Sequence, residues 1–251
     1  MQTSEFFERF NVLYNNIMSN AAAGLDAYEV SEYLTKAQLE IVKSHFSKRG
    51  NKYLEGIDDS TKRQKDFEKL IKTAVLSSTT TTAKIDTRGI PFIAPTDLLF
   101  TLNEKFQYTR AADNKQFFKV IVPLSYEEYD RLMSKPFGGP LRNQAWRLIN
   151  SNGTNVCYEI IANIRTSEIR QPVYYIRYVK KPNPIIVADL SSLGESLTID
   201  GKSTVTECEL DESLHEEILQ RAVELAKASY ATDQSGQAQL QNQINVGQRS
   251  E

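Results

Sequence analysis

Two groups of acidic side chains are the residues of this 251-residue chain whose type and spacing could do chemistry. The first group lies in the segment 125–134 and consists of Glu127, Glu128 and Asp130. The second group lies further along the chain and consists of Glu207, Glu209, Asp211 and Glu212. Closely spaced carboxylates can transfer protons in general acid–base catalysis or coordinate Mg²⁺. A metal-dependent hydrolase that uses the 125–134 segment is therefore one hypothesis.

Both acidic groups also have a structural interpretation, which we favour. Each lies at the start of a predicted helix, where negative charge interacts favourably with the helix dipole. The two histidines of the chain have ordinary interpretations as well. We expect His45 to be solvated or to cap the end of a helix, and His215 to lie at the surface.

The patterns that usually mark metal and nucleotide sites are missing from the sequence. It contains no His-x-x-x-His and no Cys-x-x-Cys pattern, and Cys157 and Cys208 are predicted to be buried free thiols. It also lacks a Gly-x-Gly-x-x-Gly loop, a Walker-type loop and a Gly-x-Ser-x-Gly elbow. We therefore predict no catalytic residues, no metal ligands and no cofactor, and hence a protein that is not an enzyme.

The composition is that of an ordinary globular protein, with 40% hydrophobic and 25% charged residues. A net charge of −2 gives no basic field for nucleic acid. Tyr174, Tyr175 and Tyr178 beside Arg177 could nevertheless stack on bases, so a nucleic-acid-binding protein is a second alternative. No apolar run approaches the roughly 20 residues that span a bilayer, and no signal peptide is evident. We expect an intracellular product with no membrane partner.

Helical periodicity dominates the first third of the chain. Apolar residues recur at helical spacing over 4–20, 27–48 and 61–76, which predicts three helices. The run of serine and threonine at 77–82 disfavours further helix, so we place a boundary there.

The middle of the chain has strand patterns. We predict strands at Leu98–Tyr108, Phe117–Val122 and Pro172–Val179, and a hairpin that turns at Ser151–Gly153. Ser125 is predicted to cap a short helix. Short connections between these strands favour a mostly antiparallel sheet.

The last part begins with an extended segment at Pro182–Val187 and a short strand at Ser196–Ile199, flanked by turn signals at Gly194 and Asp200-Gly201. An amphipathic helix capped by Asp211 follows and runs to Tyr230. Five glutamines between Gln234 and Gln243 then predict an extended arm, 231–251, which is ordered by a partner.

The fold class is therefore α+β: an N-terminal helical bundle, a central mostly antiparallel β-sheet region, a C-terminal helix and an extended arm. The predicted divisions are a helical region at 1–82, a β-rich region at 83–210, a closing helix at 211–230 that packs on the N-terminal helices, and the arm at 231–251.

Three segments of the sequence carry a resemblance to a known family. They are LTKAQLEIVKSHF at Leu34–Phe46, YEEYDRLMSKPF with QAWRLI in the middle, and TECELDESLHEEILQRAVELAKASY near the end. Together they resemble virion structural proteins of crAss-like tailed bacteriophages, over residues 1–231. More loosely, the architecture is similar to that of head–tail connector (adaptor) proteins of short-tailed phages.

The resemblance implies a virion protein at the head–tail interface, assembled in the host cytoplasm. It would be one subunit of a ring, typically twelvefold, that joins the capsid portal to the tail. The implied partners are other copies of the chain, the portal protein, further tail or ring proteins, and genomic DNA that passes without specific readout. The helices would form the ring wall.

The resemblance also assigns roles to two sets of residues. The arm would bind the portal or a neighbouring ring through Gln237, Gln239, Leu240, Gln241, Gln243, Ile244, Val246 and Arg249. Like charge keeps DNA from adhering to a channel wall, so four acidic residues are candidates to face the channel. These are Glu207, Glu209, Glu212 and Glu216.

Overall fold

The computed structural model describes residues 1–17, 24–46, 61–79, 84–151, 153, 155–192 and 197–230. The helices are α1 (Thr3–Ile17), α2 (Ala27–Phe46), α3 (Thr61–Asp66), α4 (Tyr126–Met133) and α5 (residues 215–230), with short 3-10 turns at Glu68–Leu70, Thr166–Glu168, Leu190–Ser192 and Glu212–Leu214. The strands are β1 (Ile71–Ser77), β2 (Gly89–Ile93), β3 (Leu98–Arg110), β4 (Gln116–Pro123), β5 (Gln144–Ser151), β6 (Val156–Ala162) and β7 (Ile169–Lys180).

The chain divides into two compact units. A helical unit is formed from Met1–Leu70 and Pro182–Glu251, and a sheet unit is formed from Ile71–Lys181. The boundaries proposed from sequence at 82, 210 and 230 stay predictions.

Three amphipathic helices build the helical unit. Apolar side chains at helical spacing are buried on α1, α2 and α5, as the periodicity predicted. α5 contacts both other helices: its His215 ring lies 5.2 Å from the ring of Phe6, and its Ser229 Oγ lies 2.7 Å from the Tyr33 hydroxyl. Asp211 caps the preceding turn by accepting a hydrogen bond from the Ser213 N–H, as predicted.

A polar stripe on α2 fixes the extended segment that follows the sheet unit. Ser31, Thr35 and Gln38 share one face of α2. Ser31 Oγ accepts from the Val187 N–H at 3.1 Å, and Thr35 Oγ1 accepts from the Ile185 N–H at 3.1 Å. Gln38 Nε2 donates to the Asn183 carbonyl at 3.0 Å. The stripe therefore supplies hydrogen bonds to one side of this backbone segment, whose other side forms an antiparallel bridge between Ile186 and Thr206.

The sheet unit is one seven-stranded sheet in the order β1-β7-β3-β4-β5-β6-β2. Every pair is antiparallel except β4 with β5, which is parallel. The sheet curls until its edge strands meet, with one bridge between Ser78 and Phe92 and a 2.9 Å hydrogen bond from the Thr79 N–H to the Pro91 carbonyl. The predicted α+β class with a mostly antiparallel sheet is confirmed.

Curling gives the sheet an inner and an outer face. The inner face is an aromatic-rich core that includes Phe92, Phe106, Tyr158 and Tyr174. On the outer face, α4 covers Trp146, Leu148 and Ile161. Ser125 caps α4 by accepting from the Glu128 N–H, as predicted. The predicted hairpin is also confirmed, because β5 and β6 pair from Ser151 opposite Val156 onward.

The prediction of a helix over 61–76 is wrong. α3 ends at Asp66, and from Ile71 the chain forms β1, which pairs with seven residues of β7. The apolar positions 67, 70, 71, 74 and 75 fit a helical period, but Ala74 and Leu76 also alternate with exposed residues, as in a strand. The β-branched Ile71, Thr73 and Val75 favour the strand once β7 is available to pair. This segment therefore contributes no helix beyond residue 66 to a ring wall.

Near the end of the helical unit, the predicted strand at Ser196–Ile199 is reduced to a single bridge between Ile199 and Lys202. The predicted turn is confirmed, since Asp200 and Gly201 both have positive φ, 50° and 76°. Gly194 and Ser196 lie outside the described residues, as do the predicted helix ends at 18–20 and 47–48.

Candidate assembly surfaces

The four candidate channel-facing carboxylates have different surroundings. Glu207, Glu212 and Glu216 are exposed, and Glu216 lies 3.4 Å from the Arg9 guanidinium. Glu209 is half-buried and accepts hydrogen bonds from both the N–H and the side-chain amide of Asn183, at 3.0 and 2.9 Å. Glu209 therefore holds the extended segment in place, which leaves the other three as the exposed members of the set.

His215 does not lie at the surface, contrary to the prediction. Its ring is buried, Nε2 lies 3.2 Å from the Leu210 carbonyl, and Nδ1 lies 2.8 Å from the amino group of Met1. Burial and the nearby positive amino group lower the pKa of His215, so the neutral imidazole is favoured. The sequence signal for this burial was available, because position 215 continues the buried positions Leu214, Ile218 and Leu219 around the helix.

The acidic residues at the start of α4 have ordinary surface surroundings. Glu127 and Asp130 are exposed, and Glu128 lies 3.7 Å from Arg131, three residues further along the helix. Across the residues that the structure describes, no three His, Cys, Asp or Glu side chains are grouped so that they could hold a metal ion. The described residues therefore offer no metal-binding cluster for the hydrolase hypothesis.

Both cysteines are free thiols, as predicted. Cys157 is buried, whereas Cys208 is half-buried with its Sγ 3.7 Å from Gln38 Oε1. Burial raises the pKa of Cys208 to about 11, so its thiol stays protonated near neutral pH.

A buried ion pair crosses the interior of the sheet unit. Arg147 on β5 lies 3.1 Å from Glu104 on β3, and their side chains are only 9% and 7% exposed. Tyr174 donates a short hydrogen bond to Glu104, and the Arg147 guanidinium lies 4.5 Å from the Tyr158 ring centre. Burial raises the pKa of Glu104, although Tyr174 and Arg147 oppose that shift. This cluster is enclosed by the sheet and is not open to a substrate.

A second carboxylate cluster anchors the loop before β2. Glu159 is buried and accepts hydrogen bonds from the Ile85 and Asp86 N–H groups at 3.0 Å each. Asp86 accepts from the Arg88 side chain at 2.8 Å and from the Tyr129 hydroxyl. Although burial opposes it, these hydrogen bonds from Arg88 and Tyr129 lower the pKa of Asp86. The cluster therefore joins the loop to α4 and β6 through side-chain hydrogen bonds.

The helical unit has an acidic groove on the side where α2 and α5 meet. We name it the acidic helical groove and define it by Glu40, Ser44, Glu217, Gln220, Arg221 and Glu224, around a volume of about 400 Å³. Arg221 pairs with Glu40 at 2.7 Å and with Glu224 at 3.0 Å. Glu217 is exposed and forms no ion pair within the described part of the chain. The groove therefore has an excess of negative charge.

The sheet unit has an apolar and basic surface on the part of the outer face that α4 does not cover. We name it the open sheet face and define it by Val75, Asn103, Lys105, Phe118, Val120 and Tyr175. Val75, Tyr175, Lys105 and Val120 form one row, because each is paired with the next across β1, β7, β3 and β4. Phe118 and Val120 are 61% and 60% exposed, and Phe118 lines a groove of about 470 Å³ together with Asn103, Lys105 and Tyr175.

Charge is divided unequally between the two units, which the net charge of the whole chain conceals. Residues 71–181 contain 16 Lys and Arg against 9 Asp and Glu, a formal net charge of +7. The rest of the chain contains 14 against 23, a formal net charge of −9. The chain therefore combines a basic unit with an acidic unit.

The candidate partner-binding residues of the arm, Gln237 to Arg249, lie outside the described residues. Their role stays a prediction. Among the described residues, no helix combines the length and apolar character needed to cross a membrane.

An exposed apolar and basic face together with an exposed acidic groove is typical of a protein that assembles with others. Comparison with known proteins identifies the class. Residues 1–238 match the family model described as phage tail ring protein 3/4. The chain is 49% identical to Ring protein 4/5 of Bacteroides phage crAss001, over the full length of both, and 30% identical to Ring protein 3 of the same phage, over 90% of this chain and 95% of the relative.

The chain belongs to the phage tail ring protein 3/4 family. It is thus a ring-type structural protein of the virion, and the resemblance inferred from the three sequence segments is confirmed.

Proposed function

We propose that this protein is one subunit of a closed ring that contacts other ring proteins and joins the capsid portal to the tail. The full-length match to a relative named as a ring protein carries this proposal. A ring of identical subunits forms when a heterologous contact repeats until it closes. The resemblance to connector proteins implies twelve copies. DNA passes through the axial channel during ejection.

The exposed acidic residues suit a channel wall. Glu207, Glu212 and Glu216 present negative charge to solvent, and like charge prevents phosphate groups from adhering. We propose that these three face the DNA, whereas Glu209 serves the fold through Asn183. The channel lining is thus electrostatic and carries no sequence readout.

The arm at 231–251 is proposed to bind the portal protein. Its glutamines and few charges suit an extended segment that orders on a partner, and the ring repeats each weak contact many times. Removal of 231–251 should leave a folded protein that no longer co-sediments with portal rings. A chain whose arm is replaced by a Gly/Ser sequence of equal length is the control for length alone.

The truncated chain is compared with the intact chain by circular dichroism and by sedimentation with purified portal. Co-sedimentation at the intact level would contradict the role of the arm. Cryo-electron microscopy of the intact chain with its portal then tests ring position and symmetry.

A further inference from the structure

The open sheet face has the character of a protein-binding surface. Single exposed apolar residues are common, but here Val75 on β1 and the half-buried Tyr175 on β7 share one face of the sheet with Phe118 and Val120 on β4. Lys105 on β3 lies between the two apolar pairs. α4 covers a different part of the outer face, against Trp146 and Leu148. An aromatic and β-branched surface of this kind is stabilised when a partner removes it from water.

The charge on this face indicates which charge a binding partner should have. Lys105 is exposed at the centre of the row, none of the six residues is acidic, and the unit as a whole has a formal net charge of +7. Two copies of the face would repel each other, which disfavours an isologous contact. An acidic partner surface is favoured instead.

The chain itself provides such a surface. The acidic helical groove contains three glutamates and one arginine, and Glu217 has no ion pair within the described residues. The unit that holds the groove has a formal net charge of −9. A ring built from one kind of subunit requires two different surfaces that are complementary to each other, and these two satisfy that requirement.

We infer that the open sheet face of one subunit binds the acidic helical groove of the neighbouring copy in the ring. The inference rests on the ring-subunit function proposed above and names the surfaces that make the repeated contact. Phe118 and Val120 supply the apolar part of the contact, and Lys105 lies opposite Glu217. Because exposed charges take part, association weakens as salt screens them.

A charge exchange tests this pairing. Lys105→Glu and Glu217→Lys should each weaken self-association roughly tenfold at low salt, and the double variant should recover most of the loss. Phe118→Ser should weaken association by a similar factor or more, because aromatic residues often dominate interfaces. Lys115→Glu and Glu8→Lys, which make the same charge changes at exposed positions outside both surfaces, should leave association unchanged.

The measurement is sedimentation velocity of the full chain over a range of protein concentrations, at low and at physiological salt, with circular dichroism to verify folding. Val120→Thr keeps the β-branched shape and serves as a second apolar variant. Absence of self-association at low salt, or single variants that behave like the parent, would overturn the inference. So would two weakened variants whose combination shows no recovery.

Binding to duplex DNA is measured on the same variants. If Lys105→Glu lowers DNA affinity and leaves self-association unchanged, the face serves DNA and the inference is wrong. The ring function is judged separately, by whether the chain joins portal complexes. If the charge-exchange variants form rings as well as the parent does, the proposed ring function stands and the proposed interface is wrong.

Discussion

Arg147 and Glu104 show what one buried pair contributes to this fold. Both side chains are nearly inaccessible to water, and Tyr174 donates a hydrogen bond to the carboxylate oxygen that also faces Arg147. A buried pair adds little net stability over apolar residues of equal volume, but removal of one partner leaves a charge in a poorly solvated place. The effect of substituting Arg147 on the free energy of unfolding should therefore depend on pH.

Arg147→Met should lower the free energy of unfolding by about 3–5 kcal/mol at pH 7.5. The difference in unfolding free energy between this variant and the parent should be smaller at pH 5. The pKa of Glu104 is already raised in the folded protein, and without Arg147 it rises further, so the native state binds a proton more readily than the unfolded state does. The variant therefore loses stability as the pH rises from the unfolded-state pKa of Glu104 towards its raised folded-state pKa, and regains it as the pH falls.

Urea unfolding at both pH values measures this effect. The double variant Arg147→Met with Glu104→Gln is the matched control, since it has no carboxylate at position 104 and should show little of the pH-dependent deficit. An Arg147→Met deficit of equal size at pH 7.5 and pH 5 would contradict the account.

For individual residues, the sequence predicted helix caps better than it predicted which polar side chains are buried. Ser125 and Asp211 were identified because capping depends on residues a few positions apart. Glu104 meets Arg147 from a strand more than forty residues away, and His215 meets Phe6 from the other end of the chain. Such partners are set by tertiary contacts, which local spacing does not contain.

Among the elements, α2 has a part in the fold that its apolar periodicity does not reveal. Its polar stripe holds the extended segment 183–187 by hydrogen bonds to backbone groups. Ile185 is fully buried, so its N–H depends on Thr35 for a partner. Deleting that acceptor while preserving side-chain shape isolates the hydrogen bond.

Thr35→Val should lower the free energy of unfolding by about 1–3 kcal/mol, because the buried Ile185 N–H loses its acceptor. Ser44→Ala on the same helix is the control, since Ser44 is exposed and its hydroxyl bonds to the carbonyl of Ile41. Chemical denaturation of the two variants beside the parent gives the difference. Equal stability of Thr35→Val and the parent would show that the hydrogen bond contributes nothing net.

Strand pairing explains where the element predictions succeeded and failed. The hairpin of β5 and β6 was evident because its turn residues and both strands are adjacent in sequence. β1 was mistaken for helix because its partner, β7, lies about a hundred residues further on. A short apolar segment of this kind fits either period until its neighbour is known.

For the whole molecule, the sheet unit is a continuous insertion in a helical unit that is discontinuous in sequence. Ile71, at the start of the insertion, lies opposite Val179, near its end. The two ends of the insertion are therefore close together, a property of segments that can fold alone. The sequence predicted a β-rich middle between the N-terminal helices and a closing helix, but it placed the start of that middle at 83 because β1 was taken for helix. The charge division was not predicted, because only the net charge of the whole chain was considered.

Residues 71–181 expressed alone should fold into a sheet that unfolds cooperatively. A fragment of residues 83–181, which begins at the boundary predicted from sequence, should be markedly less stable because it lacks β1 and leaves β7 as an exposed edge. Circular dichroism, amide dispersion in NMR spectra and urea titration compare the two fragments. Equal stability would show that β1 is dispensable for the sheet.

The neighbouring ends of the insertion have an evolutionary consequence. An inserted unit whose two ends lie side by side can be exchanged between related proteins. The replacement has to fit the recipient protein only at the two adjacent junctions. Chimeras of related ring proteins joined after Leu70 and before Pro182 should consequently remain foldable, and recombination between such genes would diversify one half of the subunit while the other half is inherited intact.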